Sequence, residues 1–268
     1  MKGMITIMYE LDNPKLFEQC ARIKEKIETI SQIPERQKDY YAKLYHHWKL
    51  SPPAQLWEIE EFEKKAGVSL PIEYVYYLTQ VGRGGAGPGT GLTDFSIPKN
   101  IDPGLNQVSE QLSCELTEEE WNELFEFHGV PEDGTLCLCA MDLTYQAYLI
   151  LTGPMRGRVV YLDYDGECAP MWPKGSPDFL TWCENFYSEL LAGYDIAPTW
   201  KFMWQEPGDE NTLIRAFQSA EDREYQREVL YSFCKFKKLS KIAKEFLENL
   251  SNSEFQDEVT KVLQDFHS

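Results

Sequence analysis

Positive charge is missing from about a fifth of this chain. Residues 100 to 155 contain no Lys or Arg, yet eleven Asp and Glu. Across all 268 residues, 26 basic side chains stand against 44 acidic ones, a formal net charge of −18. Phosphate recognition needs a basic footprint, so this balance argues against nucleic acid as a partner. Long apolar runs are missing too. None approaches the ~20 residues of a membrane span, and MKGMITIMYELDNPKLF lacks the apolar core and small-residue cleavage site of a secretory leader. A cytoplasmic protein is therefore expected, with no membrane partner. The seven cysteines are odd in number and have no C-x-x-C spacing, against a disulfide framework or zinc ribbon. Cys137 and Cys139 are expected to share the buried face of an alternating strand. Of the four histidines, His46 and His47 are adjacent and so cannot share a face of a helix or strand, which disfavours a metal site. No G-x-S-x-G occurs, and nothing in the sequence places a carboxylate pair such as Glu115 and Asp142 in a cleft. A binding protein is expected rather than an enzyme, with no cofactor and no metal.

What the chain does have is organised around residues 56 to 95. Leu56, Ile59, Phe62 and Ala66 recur at helical spacing with charged residues between them, Gly67 supplies a left-handed helix end, and Pro71 suits the first turn of a second helix carrying Tyr74, Val75, Tyr77 and Leu78. A glycine-rich run from Gly82 to Gly91 then stops it. Gly82, Gly84 and Gly87 match the dinucleotide fingerprint G-x-G-x-x-G, but the run follows a helix rather than a strand. A tight loop packing its backbone on the sheet is the better reading. Upstream, Leu16, Cys20, Ile23, Ile27 and Ile30 mark an amphipathic helix. Downstream, Thr117 with Glu120 forms a capping box, with Trp121, Leu124 and Phe125 as the apolar face of the helix it starts. Three strands are expected at 136–140, 145–151 and 159–164, joined as an antiparallel meander. Phe179 to Leu191 reads as a closing helix. Leu213 to Phe266 holds three or four short amphipathic helices, with Ile242 among the apolar positions.

Several of these residues resemble one family. Phe62–Glu63, Gly67, Leu70–Pro71, Tyr74, and the run Val81, Gly82, Gly84, Gly85, Ala86, Gly87, Pro88, Gly89, Gly91, Leu92 are similar to the SMI1/KNR4 superfamily, also called SUKH, in its bacterial branch. Gly134–Thr135–Leu136, Leu138, Thr152–Gly153–Pro154, Arg156–Gly157, Val159, Tyr161 and Asp163–Tyr164 extend the resemblance, which runs from about His46 to Gly193. Asp142, Leu143 and Thr144 depart from the Gly-Cys-Gly-like turn often found there. The resemblance implies an α+β fold: a central antiparallel sheet flanked by helices over 46–196, an N-terminal helical lead-in over 1–45, and a C-terminal helical extension over 197–268.

It also implies a function, since bacterial members are associated with immunity proteins that bind and block a toxin domain. The charge map independently favours a basic, nuclease-type target, because scattered surfaces normally mix both signs and an acidic face attracts a cationic partner. Glu115, Glu118, Glu119, Glu123, Glu126, Asp133 and Asp142 are the candidate partner-binding carboxylates, with Tyr145 and Trp172 as exposed aromatic anchors. The alternative is an intracellular scaffold or regulatory module of the same superfamily, using the terminal helices for protein contacts.

Overall fold

A computed structural model describes residues 9–125, 130–141, 144–165, 168–195, 202 and 204–266. The chain divides into two compact units, residues 1–184 and 185–268, with the division inside the helix Phe179–Leu191.

In the first unit, α1 (Pro14–Ser31) starts at Asn13, whose side chain accepts the N–H of Lys15, and buries Cys20, Ile23, Ile27 and Ile30. It packs on α3 (Ile72–Gln80), where Phe17 meets Tyr76 edge-on at 5.1 Å and the Tyr76 hydroxyl accepts the N–H of Asn13. Between α2 (Leu56–Ala66) and α3 the chain turns at Gly67, which is left-handed at φ 69°. Glu63, buried at the end of α2, accepts the Leu70 N–H at 2.6 Å and the Tyr9 hydroxyl. The Phe-Glu and Leu-Pro elements of the corner are thus parts of one hydrogen-bonded turn.

The sheet is an antiparallel meander of β1 (Thr135–Ala140), β2 (Tyr145–Ile150) and β3 (Val159–Asp163), in the order β1-β2-β3. The register pairs Tyr148 with Val160 and Ala147 with Tyr161, so the two faces separate by parity. One face carries Tyr161, whose hydroxyl accepts the Trp182 indole N–H at 2.7 Å within the first half of α5 (Phe179–Leu191). Phe179 of the same helix lies against Tyr74 and Tyr77 of α3. The other face, Tyr148, Ile150, Val160 and Leu162, is covered by Leu112, Val130, Met155 and Trp172. One expectation fails here. A bulge between Cys137 and Cys139 adds a residue, pairing Cys137 with Tyr148 and Cys139 with Ala147, so the two thiols lie on opposite faces. Cys139 is buried and Cys137 is exposed.

The glycine run packs as backbone. Ala86 donates to the Lys49 carbonyl, Thr90 to that of Ala140 and Thr93 to that of Leu138, tying residues 49–51 to β1 through the loop. Gly89, at φ 55°, lies so close to β1 that a Cβ there would sit 1.9 Å from the Ala140 carbonyl oxygen. The lead-in to this loop is itself irregular. Ala42–His46 forms a π-helical turn, and His47 and Trp48 follow with positive φ.

The second unit takes the rest of α5 and adds α6 (Glu210–Ser219), α7 (Arg223–Tyr231), α8 (Lys241–Leu250) and α9 (Gln256–Asp265). Asp209, Asp222 and Ser240 cap the first three of these through side-chain oxygens. Leu213, Phe217, Val229, Leu230, Leu247 and Val262 meet in one core, so the helices bury their faces on one another. Ile242 does not join it and is exposed. A buried ion pair, Lys235 to Glu189 at 3.3 Å, sits in this unit, with the Lys235 ammonium over the Tyr194 ring. Burial pushes the Glu189 carboxyl up to about 7 and the Lys235 ammonium down.

Candidate protein interface

The cation-free segment includes one short α-helix and two strands of the sheet. Thr117 accepts the N–H of Glu120 while the Glu120 carboxylate accepts the Thr117 N–H, and this box starts α4 (Glu118–Leu124). Trp121 turns inward and packs at 5.0 Å from Phe125. The helix is short, so with Trp121 buried, Glu119 and Glu123 project to solvent and Leu124 goes with them. Leu124 was expected on the apolar face and is instead 64% exposed. Val108, earlier in the same segment, is 60% exposed.

The predicted site residues fall into three places. Glu115 and Trp172 come together through Arg158, which pairs with the Glu115 carboxylate and lies 5.0 Å above the Trp172 ring. With Pro173 and Lys174 they line a groove of about 370 Å³. Glu118 accepts the Ala169 N–H at 3.1 Å, and its charge is felt by Tyr145. Asp133 lies apart from both, against Gly104. Glu126 and Asp142 lie outside the described residues, as does the Leu143 of the departing turn.

Two expectations about exposure need correcting. Tyr145 and Trp172 are half-buried, Tyr145 on the outermost β2–β3 pair with Asp163 and Trp172 beneath Arg158. Burial and the neighbouring Cys168, Asp163 and Glu118 raise the Tyr145 hydroxyl well above its ordinary range. Large apolar surface on the segment is offered by Val108 and Leu124, which sequence reasoning missed. For Leu124 the signal was available, because a seven-residue helix with one large inward residue has little room for a second.

Charge compensation is sparse. Nine of the eleven carboxylates between 100 and 155 are described, and among the described residues only Glu115 has a cation within ion-pair distance. Its partner Arg158 comes from outside the segment, brought in because the start of β3 pairs with the end of β2. Glu132, Asp102, Glu118 and Glu120 are held by neutral donors instead: Tyr148, Gly104, Ala169 and Thr117. Neutral donors orient a carboxylate without cancelling its charge.

The architecture defines an α+β protein with a three-stranded antiparallel sheet flanked by helices. Compared with known proteins, the chain matches no family model, no curated protein and no solved structure. No helix among the described residues is long and apolar enough to cross a membrane.

Proposed function

We propose that this chain is a SUKH-like immunity protein that binds a basic toxin domain and neutralises it by occupation, with the segment 100–155 as the docking face. The observation carrying this reading is the uncompensated charge: eight of the nine described carboxylates in that segment have no cation within ion-pair distance among the described residues. Such a field raises the encounter rate with a cationic surface and leaves specificity to local contacts. Leu124 and Val108 supply apolar area amid the carboxylates, the composition of an interface with a few anchors inside a polar rim. Binding rather than catalysis is the activity proposed, and the toxin's own surface is the ligand.

The test is co-expression with a toxic basic domain encoded beside this chain. Wild type restores growth. Glu119→Lys with Glu123→Lys, which alters two solvent-facing residues of α4, weakens the complex by about 1–2 kcal/mol and flattens its salt dependence. Rescue and salt dependence unchanged by that reversal would remove the charged face from the mechanism.

A further inference from the structure

The first unit carries an open cavity of about 360 Å³ between β1 and the extended chain that follows the glycine run. Its inner wall is apolar. Phe62 and Phe95 meet edge to face at 5.2 Å, and Tyr74, Leu105 and Leu136 continue the surface. Its outer wall carries the exposed carboxylates Asp94, Asp102 and Glu132. Each arrives there by a separate route. Asp94 is pressed against the backbone of Gly84, where any Cβ would meet its Oδ1. Asp102 is oriented by the Gly104 N–H at 2.8 Å. Glu132 is oriented by the hydroxyl of Tyr148, itself 4% exposed and part of the wall. Among the described residues none of the three has a cation within ion-pair distance, Lys99 on the same extended segment included.

This combination is selective. A slender apolar stem fills an aromatic and aliphatic interior, while a carboxylate-lined mouth demands a positive head and rejects an anion. A planar guanidinium also stacks on aromatic rings and forks onto carboxylates, and an ammonium satisfies the same mouth as a point charge. We propose that this cavity is a binding site for an alkylguanidinium or alkylammonium group. As the arginine or lysine side chain of a basic partner, such a group would be the anchor of the complex; that source rests on the function proposed above, whereas the cavity's preference for a cation does not.

The test uses the full chain and no partner. Butylguanidinium, butylammonium and the neutral isostere butylurea are titrated while amide resonances of residues 93–105 and 135–148 are followed. The cations saturate and butylurea binds at least about tenfold more weakly. Asp94→Asn with Glu132→Gln, which keeps the acceptor for Tyr148, weakens the cations about tenfold and leaves butylurea unchanged. Ser96→Trp, at the exposed wall, abolishes all binding, and a thermal melt verifies that each variant is folded. Lack of saturation, or butylurea binding as tightly as the cations, overturns the proposal. The source is separated with acetyl-Gly-Arg-Gly-amide against free L-arginine: tighter peptide binding supports a protein side chain, and tighter binding of the free amino acid supports a small metabolite in the same site. Reversal of Glu119 and Glu123 leaves these titrations unaltered, so the cavity and the docking face stand or fall separately.

Discussion

His46 is a buried titratable group of the first unit. Its Nδ1 accepts the Trp48 N–H, its ring packs against Gly91, and its Nε2 is buried without a hydrogen-bond partner among the described residues. Burial lowers its pKa from 6.5 to about 4. A depressed histidine stabilises the fold above its unfolded pKa and loses that contribution as pH falls through the folded one, because only the unfolded chain takes up the proton in between. Acidification from pH 6.5 to 4 therefore costs this unit roughly 3 kcal/mol through His46 alone. Urea melts at pH 7 and 4.5 measure it, and His46→Gln narrows the difference between the two. Glu63 poses the opposite problem: desolvation raises its carboxyl, and the hydrogen bonds from Leu70 and Tyr9 hold it in place. Glu63→Ala strands the Leu70 N–H and is expected to cost about 2–4 kcal/mol, with Glu63→Gln costing less because the acceptor remains. Equal losses in the two variants would mean that packing, not the hydrogen bond, is what Glu63 supplies.

Among the elements, β1 carries the most information per residue. Its bulge decides which of its two thiols is reachable, and with the burial of the other cysteines iodoacetamide on the native protein should label Cys114, Cys137 and Cys168 and spare Cys20, Cys139 and Cys183 until denaturant is added. Mass spectrometry of the digested protein reads the pattern, and early labelling of Cys139 would contradict the register. The edge of β1 is also where the glycine run docks. Gly89→Ala places a Cβ into the Ala140 carbonyl at a positive φ, an expected loss of about 3 kcal/mol or more in the first unit, with the C-terminal helices unaffected. The glycine loop, the meander and the helix corner were legible in the sequence because each rests on local stereochemistry. The bulge was not. Alternation predicts one shared face for Cys137 and Cys139, and only pairing with β2 shows the inserted residue. Leu124 was misplaced for a related reason: a helical stripe gives the direction of a side chain, while burial depends on what lies opposite.

For the whole molecule, His46 of the first unit and Glu189 of the second titrate with opposite sign. Glu189, raised to about 7 by burial, stabilises the second unit fully below its unfolded pKa near 4.5 and loses that contribution as pH rises through 7. The same burial pushes the Lys235 ammonium down from 10.5. Between pH 7 and 4.5 the first unit should therefore weaken through His46 while the second strengthens through Glu189. Hydrogen exchange, corrected for intrinsic rate and resolved by unit, tests this. Parallel behaviour in both units would show that neither buried group governs its unit. The charge of −18 acts at a longer range: association with the basic partner proposed above should slow as salt rises, mainly through the on-rate.

Sequence alone determined the amphipathic helices, the Thr117 cap and the Gly67 helix end, the meander and the cation-free stretch, since capping chemistry, period and composition are properties of neighbours along the chain. Tertiary structure decided which carboxylates stay unpaired, because Arg158 reaches Glu115 only once β3 lies beside β2. It also decided that Trp172 shelters beneath that arginine while Val108 and Leu124 face solvent, and that Asp94, Asp102 and Glu132 converge on one cavity. Such proximities depend on chain segments far apart in sequence, and no local rule encodes a distance between them.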